Sequence, residues 1–248
     1  MKAFFAALQF LTVFPVPPSW GDDGRALHKS VPCFPLVGLL LGGLVALVHW
    51  ILDAFLPAQV SVWIAVLLLA ALSGGLHLDG LADTADGLFS ARSRERMLAI
   101  MKDSHIGTMG VLALVFAIGL KVAALSSLTL NARLAVLVLM PLAGRTAMVL
   151  MLTTLPYARP DGGLASIFLL KRSRWALVAG LVLLLAAAWV LAWYMGVSAA
   201  VASLAAAGLL ALHCRRKLGG FTGDTLGACS ETAETTLAIT AAVWASAG

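Results

Sequence analysis

Apolar residues run through most of this chain in long blocks, and polar or charged residues serve mainly to separate one block from the next. The blocks fall at about 33–52, 58–76, 107–128, 131–154, 175–195, 197–213 and 226–246. Each is near the roughly 20 residues that a helix needs to cross about 30 Å of hydrocarbon. They do not alternate polar with apolar positions as barrel strands do, and unsatisfied backbone groups are prohibitive in lipid, so helices are predicted over a barrel. The expected fold is all-α: a polytopic, integral membrane helical bundle with about seven transmembrane helices. One domain is expected over residues 1–248, with no internal repeat and no connection long enough to fold separately. The last block is the least regular, because Thr225 to Thr240 includes Glu231 and Glu234. The segment Ala3 to Phe14 behind Lys2 resembles a signal-peptide core, yet it runs into Pro15, Pro17 and Pro18 without a small-x-small site. It is read as a retained segment too short to span.

Composition strengthens the membrane reading. Hydrophobic residues make up 61% and charged residues 12%, with mean hydropathy +0.97, where soluble chains carry roughly a quarter charged residues. The net charge of +5 does not point to nucleic acid, because the basic residues form no continuous patch. They separate by side instead. With the N-terminus in the cytoplasm, the inner connections hold Arg25, Lys29, Arg92, Arg94, Arg96, Lys102, Arg159, Lys171, Arg172, Arg174, Arg215, Arg216 and Lys217. The outer connections are short and hold essentially Arg133. That asymmetry predicts a multi-pass membrane protein with its active site at the cytoplasmic face. Cys33, Cys214 and Cys229 lack CxxC spacing and imply neither disulfides nor zinc.

Candidate chemistry sits in the polar punctuation. In His77-Leu-Asp79-Gly-Leu-Ala-Asp83-Thr-Ala-Asp86-Gly87, three carboxylates at i, i+4 and i+7 share one helix face. Such a cluster repels itself unless a cation lies between, and hard oxygens suit Mg²⁺ bound jointly with substrate phosphates. A solvated acidic helix end is the bland alternative. Arg92, Arg94, Arg96, Lys102 and Asp103 follow, cations of the kind that grip phosphate, although they also serve to keep a loop inside. A second polar segment, from His213 through Gly220, Thr222 and Gly223 to Asp224 and Thr225, is glycine-rich and lies on the same predicted face. Glycines there let amides approach phosphate oxygens, or merely connect helices. Arg145 lies inside an apolar block and should pair with an acid or a ligand, or snorkel to the interface; Lys121 is a weaker case of the same kind.

At these residues the chain resembles the cobalamin synthases, the adenosylcobinamide-GDP ribazoletransferase family. The likeness runs over nearly the whole length: Phe4-Phe-Ala-Ala-Leu-Gln9-Phe-Leu-Thr12, Phe34-Pro35-Leu-Val-Gly38, the His77 to Gly87 block, Met101-Lys102-Asp103-Ser104, Gly144-Arg145, and Gly219-Gly220-Phe-Thr222-Gly223-Asp224-Thr225. His105 and Val13 stand where arginine is expected from the family pattern. The resemblance implies a Mg²⁺-dependent transfer. In it, α-ribazole or its 5′-phosphate attacks the phosphate on adenosylcobinamide-GDP, releasing GMP and forming adenosylcobalamin or its 5′-phosphate. On this reading Asp79, Asp83, Asp86 and Asp224 bind metal, and Asp86 or His77 takes the proton. Arg92, Arg96, Lys102, Asp103, Arg145, Gly220, Thr222 and Gly223 contact substrate. The lipid bilayer is the standing partner, nucleic acid is not one, and a homo-oligomer or other corrinoid-assembly enzymes are open partners. Two rivals remain at this point. A CDP-alcohol phosphotransferase would show Asp-Gly-x-x-Ala-Arg, against Asp79-Gly-Leu-Ala82-Asp83 here. A transporter for a cation or corrinoid would carry acids along a conduction path.

Overall fold

A computed structural model describes residues 1–17, 20, 24–159, 162, 167–168 and 174–247, with backbone alone at 24–25. Pro18, Lys171, Arg172 and the Arg25 side chain, all used above, lie outside the described residues. The described residues form the helices α1 Lys2–Leu11, α2 Gly24–His28, α3 Phe34–Asp53, α4 Ala58–Leu72, α5 Leu76–Leu88, α6 Arg94–Ile100, α7 Thr108–Ser126, α8 Leu130–Thr154, α9 Arg174–Leu218 and α10 Gly223–Ala247. Among the described residues there is no strand, only an isolated bridge between Tyr157 and Phe221.

Among the described residues, four helices are long and apolar enough to cross a membrane, α3 with its preceding turn (Val31–Asp53), α7, α8 and α9, or five if the bent pair of α4 and α5 is one span. This makes the chain a multi-pass membrane protein. The expected count of about seven is not reached by length and apolarity alone. Helix α4 has 15 residues, and α10 carries buried Glu231 and Glu234. Helix α9 counts once although it breaks at Ala192 and Trp193, where Trp193 has φ 46°. A Cβ on Gly196 would lie 2.4 Å from the Ala188 carbonyl oxygen, so the chain has turned back on itself there. In an unbroken helix eight residues would separate these by about 12 Å. The sequence placed this break at 195–197, three residues late.

Helix α8 is the centre, with 83% of its most apolar window buried, whereas the corresponding window of α9 is 22% buried and faces outward. The exposed residues are large and apolar, among them Leu67, Val115, Phe116, Val182 and Val190, as a lipid-facing surface requires. At one end of the bundle the connections are tight. There Arg133 on α8 donates to Asp53 at 3.2 Å and to the Leu125 and Leu128 carbonyls. The other end collects the long polar connections.

The feature that shapes this polar end is the joint between α4 and α5. Gly74 (φ 60°) and Gly75 (φ 71°) adopt the left-handed conformation. Gly75 N donates to the Ala70 carbonyl, and Gly74 N to that of Ala71, both at 2.9 Å. This is a Schellman termination, which glycine allows without Cβ strain. The two helices consequently meet at 87°. Helix α5 therefore turns away from the direction of α4 and carries its carboxylates toward the start of α10.

Candidate active site

Helices α5 and α10 bring the two acidic motifs together. Gly80 lies one residue past Asp79, and a Cβ there would sit 2.6 Å from the Asp224 carbonyl oxygen; Gly227 likewise packs on His77 and Gly80. The two backbones touch at this point, which places Asp224, in the first turn of α10, beside Asp79 and Asp83 on α5. Asp79, Gly80, Gly223 and Asp224 line a cleft of about 190 Å³ together with Tyr157 and Arg159.

The start of α10 is locked by Thr222 and Thr225. Thr222 Oγ1 accepts from Thr225 N at 3.2 Å, and Thr225 Oγ1 accepts from Thr222 N at 2.8 Å. This reciprocal capping satisfies N–H groups that a helix start leaves open. The preceding residues pair with the chain that leaves α8: Ala158 N donates to the Phe221 carbonyl and Phe221 N to that of Pro156, both at 2.8 Å. Arg159 is thereby held over the cleft, where its Nη2 donates to Asp224 Oδ2 at 2.6 Å. Arg94 fastens α6 to the same junction through the Leu218 carbonyl at 2.7 Å and the Ala158 carbonyl at 3.0 Å.

Carboxylate crowding shows in the electrostatics. Burial, and then the charges of Asp79, Asp224 and Asp86, push Asp83 up to about 6, against the pull of Arg159. A raised folded value means that Asp83 adds stability below its unfolded value near 3.8, and that this contribution is lost as pH rises through about 6. Without added divalent cation, the melting temperature of the wild type relative to Asp83→Asn is therefore expected to fall between about pH 4 and 6. Thermal unfolding of the two proteins across that range checks it; parallel curves refute the crowding.

Not every expected site residue lies in this cleft. Asp86 is on the same helix face, but both its oxygens are taken: Oδ2 accepts from Gly107 N at 2.6 Å and Oδ1 from Gly110 N at 2.9 Å. It caps the first turn of α7, where a carboxylate is favoured by orphan donors and the helix dipole. That arrangement gives Asp86 a structural role, with one N–H already bound at each oxygen. His77 borders the cleft but is 1% exposed, with Nδ1 3.3 Å from Arg145 Nη2, which leaves its ring little room to act as a base. Arg145 is 1% exposed and pairs with Glu234 instead of facing the cleft. Its network continues through Lys121, which donates to Glu231 and Glu234 at 2.7 Å each. Thr222 is fully buried as a cap, and Gly220 is buried where a Cβ would strike the Pro156 carbonyl oxygen at 2.1 Å. Both build the site from behind. Arg92 and Arg96 are exposed. Asp103 is exposed and bound to His105 Nδ1 at 2.6 Å, and the His105 side chain holds it below the usual carboxylate range. Lys102 lines the larger cleft described below.

The residue that the motif reading passed over is Arg159. Its only signal was a cation three residues after Pro156 at the end of an apolar block, and its partner Asp224 lies 65 residues further on. Among the described residues, no three His, Cys, Asp or Glu side chains converge closely enough to chelate an ion by themselves.

A membrane-spanning helical bundle with a carboxylate-lined, arginine-gripped cleft across its polar end is the architecture of an integral membrane enzyme acting on a phosphorylated substrate. The comparisons agree with that class and narrow it. The profile described as Cobalamin-5-phosphate synthase matches residues 3–242, and the chain belongs to this family. It is 44% identical over 239 residues to the adenosylcobinamide-GDP ribazoletransferase of Citrobacter koseri, covering 94% of this chain and 96% of that one. It is 43% identical, with the same coverage, to the enzyme of that name from Escherichia coli O127:H6. These matches support a transferase and neither a CDP-alcohol phosphotransferase nor a transporter. No solved structure matches the chain.

Proposed function

We propose that the chain transfers the adenosylcobinamide-phosphate group of adenosylcobinamide-GDP to α-ribazole or its 5′-phosphate, releasing GMP, with Mg²⁺ as cofactor. The observation that carries this reading is the meeting of Asp79 and Asp224 at one cleft, with Asp83 near enough to feel both charges, in a membrane bundle whose relatives bear that enzyme's name.

The donor set fits a hard divalent cation. Burial first, and then the charges of the neighbouring carboxylates, lift Asp83, so a cation placed among them would be favoured. Mg²⁺ commonly takes one or two carboxylates and completes its shell with substrate phosphates, and Asp79 and Asp224 are the pair that would hold it. Bound there, it supplies charge neutralisation to the diphosphate. Asp83, beside Asp79 and Asp224, takes the proton from the ribazole hydroxyl as that oxygen bonds to the phosphorus bearing cobinamide. The bridging P–O bond breaks and its electron pair departs on GMP. Arg159, beside Asp224, offsets the charge that builds on the departing phosphate. Charge distribution supports a cytoplasmic position for this end: Arg92, Arg94, Arg96, Arg215, Arg216 and Lys217 sit here, against Arg133 at the other end. The protein accordingly resides in the bacterial inner membrane with its N-terminus inside.

Detergent-purified protein incubated with adenosylcobinamide-GDP and α-ribazole is expected to release GMP with Mg²⁺ and not in EDTA. Release without any divalent cation would overturn the metal role, and no release under any condition would overturn the reaction.

A further inference from the structure

Two clefts open at the polar end and share one wall. The reaction proposed above uses the smaller one. The larger, of about 580 Å³, lies between α6 and residues 157–159 and is lined by Leu98, Ala99, Lys102, Tyr157 and Arg159 among others. Tyr157 and Arg159 also line the smaller cleft, so whatever fills the larger one lies directly beside the reacting centre. A volume of several hundred Å³ is that of a small-molecule site.

The chemistry of the wall is selective for an anion carrying a ring. Arg159 has a side chain 13% exposed. One Nη holds Asp224, while its Nε is buried without a hydrogen-bond partner. A guanidinium offers five donors in a fixed fork, the geometry that suits phosphate, and Arg159 lines the larger cleft as well as holding Asp224. Arg94 does not compete, since two carbonyls engage it. Glu95, at the rim, turns back to Ser93 at the start of α6. Tyr157 is held edge-on against Phe221 at 5.4 Å, which fixes its ring at the shared wall.

We infer that the larger cleft is a subsite for a nucleoside 5′-monophosphate group, with Arg159 as its phosphate anchor and Tyr157 beside the nucleoside. The inference rests on the proposed reaction, which offers two sources of that chemistry. One is the departing GMP; the other is α-ribazole 5′-phosphate, whose phosphate does not react. Arg159 would then serve both clefts, and its grip on the monophosphate fixes that nucleotide against Asp224.

Calorimetric titration of the purified wild type with GMP, guanosine, α-ribazole 5′-phosphate and α-ribazole tests this. At least one monophosphate is expected to bind about tenfold or more tighter than its nucleoside. The preferred one identifies the source. Ala99→Trp fills the cleft from an exposed position and should weaken that nucleotide at least about tenfold, with Mn²⁺ affinity by electron paramagnetic resonance unchanged. Arg159→Lys should shrink the preference for phosphate. Should Ala99→Trp fail to fold, Ala99→Cys blocked after folding by a bulky maleimide, with labelled wild type correcting for Cys33, replaces it. Equal affinity for nucleosides and monophosphates, or unimpaired nucleotide binding with the cleft filled, overturns the subsite. Normal GMP release alongside such a result leaves the reaction standing. Mapped nucleotide binding without any GMP release overturns the reaction and leaves the subsite.

Discussion

Asp83→Asn is expected to reduce GMP release by about 10²–10⁴-fold, the contribution of a positioned general base, while leaving the protein at least as stable as the wild type at neutral pH. The two halves of that result follow from one cause. The fold partly buries Asp83 and holds it near Asp79, Asp224 and Asp86, so its ionised form is disfavoured. Asparagine keeps the shape and removes the charge, which relieves repulsion in the metal-free protein. The same change removes the oxygen pair that receives the hydroxyl proton. Activity should fall and melting temperature should hold or rise. Turnover within tenfold of wild type would eliminate Asp83 from the chemistry. A large drop in melting temperature would show that the carboxylate is instead satisfied by the fold, contrary to the crowding argued here. Asp86→Asn offers the contrast. Its carboxylate caps α7 through Gly107 and Gly110, so the amide retains one acceptor, and the effect should fall first on stability.

The helices were legible in the sequence because burial in lipid demands continuous apolar runs, and each predicted block coincides with a helix to within a few residues. The exceptions are physical. The block at 58–76 ends early because Gly74 and Gly75 close α4 with positive φ, and glycines within an apolar run do not announce a bend of 87°. The block at 226–246 looked irregular because Glu231 and Glu234 break its apolarity. They are tolerated because Lys121 and Arg145 neutralise them from α7 and α8, a pairing over more than 85 residues that no local pattern carries. The acidic motif was legible in the same limited way. Spacing showed that Asp79, Asp83 and Asp86 share a face, but not that the start of α7 lies over one end of it. Arg159 escaped notice because its partner is brought in by the Tyr157 and Phe221 bridge, and backbone pairing between two loops leaves no periodicity to read.

The buried network is where the second large effect is expected. Glu234→Gln should destabilise the folded protein in detergent by about 3–5 kcal/mol, the range for removing one member of a buried ion pair. Glu234 is 1% exposed and answers both Arg145 and Lys121. Neutralising it leaves two cations facing Glu231 alone. The damage should not stop at stability, because Arg145 also contacts His77, two residues before Asp79 on α5. A guanidinium released from Glu234 no longer holds that helix in place, and GMP release should fall even in the fraction that remains folded. Glu234→Met combined with Arg145→Met restores balance, since Lys121 and Glu231 remain as a matched pair, and replacing both partners with apolar side chains of similar size is often close to neutral. The double variant is therefore expected to regain most of the stability lost by Glu234→Gln, measured as the midpoint of denaturant unfolding. It should not regain full activity, because His77 still lacks its arginine. Recovery of both together would reduce the network to a means of burying charge, whereas recovery of stability alone identifies Arg145 as a positioning residue for the carboxylate face of α5.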